Sequence, residues 1–325
     1  LGVIAIDQGD LGGAESLFNQ ALVIYREIGA HSNAAASELD IGVAFHLEGD
    51  LPAAETRYRS ALDLYSESND KVGTAMALTN LGEILFLRGD IENSKELHQE
   101  ALVLNTEIGD PSAMAYDTFR LGEIFFASGD LVVAHSRFES AKSTQQDIGE
   151  NLSAAATQIS LARLELAEGR YAAAEELARR AEEVLRVEGA ADLAALAESV
   201  LANALLAGGQ NEAAIDIAAR SMAAAETSGD KLVVYAATTA WGRVAGITGE
   251  EPERAIDVLE QVVRDAESRE FKQAELEAKT VLAEVLLANG EQQTAIAHLE
   301  KVIRETEIFG LRQILNRART LMPPN

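Results

Sequence analysis

Residues 41–61 read IGVAFHLEGDLPAAETRYRSA. A Gly49-Asp50 pair stands there between two runs of apolar residues at helical spacing. In the second run Ala54, Tyr58, Ala61, Leu62 and Tyr65 recur at offsets of 4, 7, 8 and 11, which is one stripe of an amphipathic helix. Glycine ends a helix readily in the left-handed region, and aspartate accepts the orphan N–H groups that open the next one. The stretch therefore predicts two antiparallel helices joined by a turn of about three residues.

The same joint recurs along the whole chain. Gly9, Gly49, Gly89, Gly129, Gly169, Gly209 and Gly249 follow one another in steps of 40, and Gly290 comes after 41. A second comb, Gly29, Asn69, Gly109, Gly149, Gly189, Gly229, Glu270 and Gly310, falls halfway between the teeth of the first. Asparagine tolerates left-handed backbone cheaply, so Asn69 fits and Glu270 is a departure. Asp10, Asp50, Asp90 and Asp130 directly follow comb glycines, and Pro111 suits a first helical position. Periods of 20 to 50 residues mark stacked arrays, and no segment predicts a strand. Helices of about 17 residues, roughly 25 Å long, are expected.

Composition narrows the partners. The 325 residues carry 27 Lys plus Arg against 53 Asp plus Glu, a net charge of −26. Such a chain repels phosphate backbones and anionic lipid, so neither nucleic acid nor a membrane is an expected partner. No run approaches the roughly 18 apolar residues of a membrane span. Zero cysteines exclude disulfides, thiolate zinc sites and cysteine nucleophiles. Residues 1–8 match the second half of a first helix, so the sequence reads as a piece of a longer polypeptide. Repeats of about 40 residues continue through 309 as one solenoid spanning 1–325. Ile314, Leu315, Ala318 and Leu321 form a capping helix over 311–321 before Pro323 and Pro324 stop it.

The residues at fixed repeat positions carry a family resemblance. A Leu-Gly position reads Leu1-Gly2, Ile41-Gly42, Leu81-Gly82, Leu121-Gly122, Leu161-Ala162, Leu201-Ala202, Trp241-Gly242 and Leu282-Ala283. Twelve residues after the glycine comes a small residue, Ala14, Ala54, Ser94, Ala134, Ala174 and Ala214, with Ala255 displaced by one and then Ala295. Four further stand Phe18, Tyr58, His98, Phe138, Ala178, Ala218, Leu259 and Leu299. This pattern resembles the tetratricopeptide repeats, in a long-helix subclass with 40-residue repeats. The family's early tryptophan is replaced by Glu38, Leu78, Thr118 and Gln158, and its closing proline is missing. The resemblance implies an all-α, right-handed superhelical solenoid of stacked antiparallel hairpins, with first helices lining a concave groove. It is also similar to the C-terminal tails of bacterial multidomain regulators and serine/threonine kinases. That similarity implies a cytoplasmic scaffold in a signalling or transcription-regulatory protein, binding a protein or peptide segment or a domain of the same polypeptide.

No catalytic constellation emerges, so the chain is not expected to be an enzyme or to need a cofactor. His31, His46, His98, His135 and His298 fall at unrelated repeat positions, with none spaced i, i+4 from another for a helical metal site. His98 occupies a core aromatic position and reads as a packing residue. Trp241 reads the same way. On the family's geometry the groove would present Asn80 and Asn203, whose amides offer both donor and acceptor to a peptide backbone. Arg120, Arg163 and Arg243 would seat carboxylates, with Glu83 and Glu123 beside them. Phe86, Tyr116, Phe119 and Phe126 would add apolar contacts. Asp40 and Val43 lie on the same line. The alternation of Glu83, Arg120, Glu123 and Arg163 equally suits an inter-repeat ladder of ion pairs that merely neutralises the wall. A small-effector sensor and a structural or self-assembly spacer are the other readings.

Overall fold

Each Gly-Asp pair serves two helices at once. At Gly49 (φ 78°) the chain turns left-handed. The Gly49 N–H donates to His46 O and the Asp50 N–H to Phe45 O, both at 2.9 Å. The Asp50 carboxylate then accepts the Ala53 N–H at 3.1 Å, so one residue closes the first helix and opens the second. Asp10, Asp90 and Asp130 repeat this cap, and Asp70, Asp110 and Asp230 add it between hairpins. Asn69 (φ 55°) and Glu270 (φ 63°) both adopt the left-handed turn that the comb requires. Gly229 does not join the left-handed set, because the preceding helix already stops at Ala225.

The structure, a computed structural model, describes residues Leu1–Pro323; Pro324 and Asn325 lie outside the described residues, and with Pro324 goes half of the expected stop. Among the described residues there are seventeen helices and no strand. In order they are α1 (Gly2–Asp7), α2 (Leu11–Glu27), α3 (His31–Glu48), α4 (Leu51–Glu67), α5 (Lys71–Leu87), α6 (Ile91–Ile108), α7 (Pro111–Ala127), α8 (Leu131–Asp147) and α9 (Asn151–Ala167). They continue as α10 (Tyr171–Val187), α11 (Ala191–Ala207), α12 (Asn211–Ala225), α13 (Lys231–Thr248), α14 (Pro252–Ser268), α15 (Lys272–Ala288), α16 (Gln292–Phe309) and α17 (Arg312–Leu321). Odd-numbered helices are the first of each pair and even-numbered helices the second. None is long and apolar enough to cross a membrane.

Packing divides the chain into two compact units, Leu1–Leu121 and Gly122–Asn325. In the first, α3 packs on α5; in the second, α9, α11, α13, α15 and α17 pack in succession, so within each unit first helices pack on first helices. The second unit also brings α17 back to the turn between α7 and α8: a Cβ on Gly129 would stand 3.2 Å from the Arg312 Cβ.

Hairpins close through one contact that spans sixteen residues of sequence. A Cβ on Gly42 would stand 2.5 Å from the Tyr58 ring, on Gly82 2.8 Å from His98 Nε2, and on Gly122 2.6 Å from the Phe138 ring. These are distances that real Cβ atoms do not reach. In the second unit, where alanine replaces the glycine, the partner shrinks as well: Ala162 with Ala178 and Ala202 with Ala218, all fully buried in one core cluster. The first-helix residue at the contact thus stays glycine or alanine, while its partner ranges from a ring to a methyl group.

At several of the positions where the family would place tryptophan, polar clasps are found, while Leu78 at another is simply buried. Glu38 on α3 is only 2% exposed and is held by Arg26 of α2 at 2.6 Å and Arg57 of α4 at 3.0 Å. Glu198 on α11 is held the same way by Arg186 of α10 and Arg220 of α12. Gln158 donates to the Leu177 carbonyl at 3.0 Å. A buried carboxylate is retained only with such partners.

Gly82→Leu should drive α5 from α6 and lower the unfolding free energy by about 3 kcal/mol or more, read from the urea midpoint; an unchanged midpoint contradicts the contact. In a double-mutant cycle, Gly122→Ala with Phe138→Ala recreates the alanine pair of the neighbouring repeat. The two substitutions should cost less together than their sum by roughly 1–3 kcal/mol.

Candidate functional site

The exposed side of a first helix is set by which residues the hairpin contact leaves over. With Leu81-Gly82 turned into the core, Asn80 and Glu83 on α5 stay half-buried at its edge. Arg120 on α7 reaches Glu83 Oε1 at 3.6 Å, and the Tyr116 hydroxyl donates to Glu83 Oε2 at 2.8 Å. Burial alone would raise the Glu83 carboxyl, but the neighbouring Arg120 charge and the Tyr116 bond hold it below its ordinary value. Tyr116 is raised, by burial first and then by the Glu83 charge. The Arg120 guanidinium also stacks 5.2 Å from the Phe86 ring centroid.

The next repeat, in the second unit, repeats the arrangement. Glu123 accepts from Arg163 at 2.8 Å, and Arg163 lies 5.0 Å over the Phe126 ring. Glutamate and phenylalanine three residues apart on one first helix thus hold the arginine of the following first helix. Further along, Arg243 grips Glu284 through two bonds of 3.0 and 2.8 Å and donates to Asn203 Oδ1 at 2.9 Å. Arg317 of α17 adds a bond to Glu284 at 2.6 Å. Burial would raise Glu284, but the Arg243 bonds and the Arg317 charge bring it down to about 2.

The eleven expected groove residues therefore fall into two sets, one in each compact unit. Asn80, Glu83, Phe86, Tyr116, Phe119 and Arg120 belong to the first, with Glu83, Phe86, Tyr116 and Arg120 in mutual contact. In the second, Glu123, Phe126 and Arg163 meet, and Asn203 and Arg243 meet. The charges pair from repeat to repeat, as the ladder alternative anticipates. Both asparagine amides turn back on their own helix, Asn80 Nδ2 to Met76 O at 2.8 Å and Asn203 Nδ2 to Ser199 O at 3.0 Å. Phe86 is buried beneath Arg120, Phe119 is half-buried, and Tyr116 remains 38% exposed. Trp241 is buried as packing, with Arg254 4.7 Å over its ring.

A buried polar cluster lies beneath this face and was not anticipated. Asp117 on α7 is fully buried and meets His98 Nδ1 at 3.0 Å, Asn105 Nδ2 at 2.8 Å and Thr79 Oγ1 at 3.0 Å. Burial pushes the His98 imidazole below its ordinary value, against the Asp117 bond. The neutral ring donates from Nδ1, while Nε2 faces Gly82 with no hydrogen-bond partner. Ser94, in the small-residue position, donates to the Gly82 carbonyl at 2.7 Å. A spacing of twelve residues across the turn was the available signal: Arg26 and Glu38, Asn105 and Asp117, Gln145 and Thr157, and Arg186 and Glu198 all pair over it. No group of His, Asp and Glu able to hold a metal ion occurs among the described residues.

This hairpin geometry has a known counterpart in sequence: the profile of the MalT-like TPR region matches residues 1–310. The chain belongs to this family. Among solved structures, this MalT-like chain is similar to a Rap protein complexed with Competence and Sporulation Factor, with TM-score 0.71 and 15% identity, covering 87% of this chain and 76% of that one. It is also similar to the Rap conjugation gene regulator of the plasmid pLS20 in complex with the Phr* peptide, with TM-score 0.70 and 16% identity over 90% and 78% of the two chains. Aspartyl phosphate phosphatase F from Bacillus subtilis follows at TM-score 0.65 and 15% identity, over 87% and 73%. At such identities the likeness concerns the fold. No curated protein matches the chain in sequence.

The Glu284 clasp makes an acid-side prediction. Its carboxyl ordinarily titrates at 4.5 and in the folded chain at about 2, so the unfolded state binds the proton first as pH falls. The stabilisation is complete above about 4.5 and is lost between there and about 2, amounting to on the order of 3 kcal/mol. Glu284→Gln should be less stable than the parent at pH 7, and the gap should close toward pH 2 in denaturant unfolding. A gap independent of pH contradicts the pairing.

Proposed function

We propose that this MalT-like array is a non-catalytic interaction module that holds a protein or peptide segment against its first-helix face, as part of a cytoplasmic signalling or transcription-regulatory protein. One observation carries the reading. While the glutamates and arginines of that face pair with one another, large apolar side chains on the same helices stay open to water: Leu47 at 49%, Val72 at 54%, Met76 at 48% and Tyr116 at 38% in the first unit, and Leu152 at 39% in the second. Paired charges hold the face in a fixed arrangement, which lowers the ordering cost of binding, and the apolar side chains supply the area to be buried. Covering one such side chain fully is worth roughly 1.5–3 kcal/mol. A structural neighbour holds the Phr* peptide, which supports a peptide or protein as the occupant by likeness of fold. A domain of the same polypeptide would suit the same face.

The repeat-to-repeat pairing favours a second reading, a spacer whose first-helix face only stiffens the stack. Val72→Glu and Met76→Glu separate the two. Both sites are exposed, so these variants should melt like the parent. On the binding reading each weakens capture of a peptide ligand, selected from a displayed peptide library and measured by isothermal titration, by tenfold or more. Selection of no peptide, or heat from a metabolite panel alone, contradicts the proposal.

A further inference from the structure

On the line formed by the residues flanking each Leu-Gly position, Glu83 meets Arg120, Glu123 meets Arg163, and Arg243 meets Glu284. Asp40 is the exception: among the described residues its half-buried carboxylate has no cation and no hydrogen-bond donor. Burial raises that carboxyl above its ordinary value with nothing to offset it. A second unsatisfied group lies nearby. The Tyr58 hydroxyl is buried without a hydrogen-bond partner, and the phenol is pushed up by burial and then by the charges of Glu83 and Asp40. Both carboxylates therefore act on the same buried oxygen.

The surroundings describe what would settle there. Val43 and Leu47 follow Asp40 at i+3 and i+7 on the same face of α3, and Leu47 is half exposed. On α5, which packs against α3, Met76 and Asn80 occupy the positions that correspond to Ala36 and Asp40 one repeat earlier. Residues 1–121 carry 7 Lys plus Arg against 20 Asp plus Glu, a net charge of −13, so the field over this face draws in cations. An anion half out of water, flanked by apolar surface, complements a side chain with an aliphatic stem and a charged head.

We propose that Asp40 seats the cationic head of a lysine or arginine from the bound segment, with the stem of that side chain lying along Leu47 and Met76. This rests on the interaction reading above and names the chemistry its partner must present. The probes are terminally blocked, fluorescein-labelled peptides of sequence Leu-Ala-X-Ala-Leu, with X as Lys, Arg, Gln or Glu, read by fluorescence anisotropy on the full chain. The Lys and Arg peptides should bind at least tenfold more tightly than the Gln peptide, and the Glu peptide more weakly still. Asp40→Asn should erase that preference, while Asp63→Asn, an exposed carboxylate on α4, should keep it. Because Asp40→Asn removes a half-buried charge without a counter-ion, the variant should fold at least as well as the parent in a thermal melt. The preference should shrink as salt rises from 50 to 500 mM. Equal affinity for Lys and Gln peptides, or a preference that survives in Asp40→Asn, overturns the assignment and leaves the interaction reading standing. Failure of all four peptides overturns the assignment, and the interaction reading then stands or falls on the library selection. Tight spermidine binding that depends on Asp40, without peptide binding, would give the site to a free polyamine and overturn the proposal.

Discussion

The hairpin depends on two helices approaching until one backbone touches a side chain of the other. Gly42 against Tyr58, Gly82 against His98 and Gly122 against Phe138 leave no room for even one carbon. A helix pair has a narrow stripe to bury, and each hairpin covers it only against its partner and its neighbours, so this distance propagates to every repeat. The constraint falls on the first-helix residue, which is glycine or alanine at each of these contacts. Ala162 with Ala178 occupies the same repeat position as Gly122 with Phe138, so the period survives a change of residue.

Once helix spacing is set, the polar residues between helices have little choice of partner. Glu38 and Glu198 are each shared by arginines from two flanking second helices, and Asp117 is satisfied by three donors. On the first helices the rungs Glu83 with Arg120 and Glu123 with Arg163 align side chains from successive repeats. A chain with a net charge of −26 thus spends much of its basic content internally. Among the described residues, what this pairing leaves on the first-helix face includes exposed apolar side chains and the Asp40 carboxylate. The chemistry proposed for a partner follows from what the internal pairing leaves over.

Hairpins, their period and their joints were legible because they rest on local rules. The left-handed turn at Asn69 follows from the comb even where glycine is absent, Glu270 takes the same turn although its residue type departs from the pattern, and Pro111 opens α7 as its position requires. Gly229 shows the limit of such reading, since a helix ending at Ala225 makes its conformational freedom unnecessary there. The groove list was legible as positions but not as states. Nothing in the local sequence distinguishes Arg120, stacked on a buried Phe86, from an arginine free to meet a ligand.

Helix length, turn geometry and the identity of buried faces were settled by residues close together in the chain, through backbone hydrogen bonds and a periodicity that needs no distant partner. Partnership was decided in three dimensions, because it requires residues 12, 16 or 40 positions apart to come within bonding distance. Glu38, Asp117 and Asp40 are all carboxylates on first helices. Two became fixed interior anchors and one was left without a counter-ion, according to which donors the neighbouring helices happened to bring.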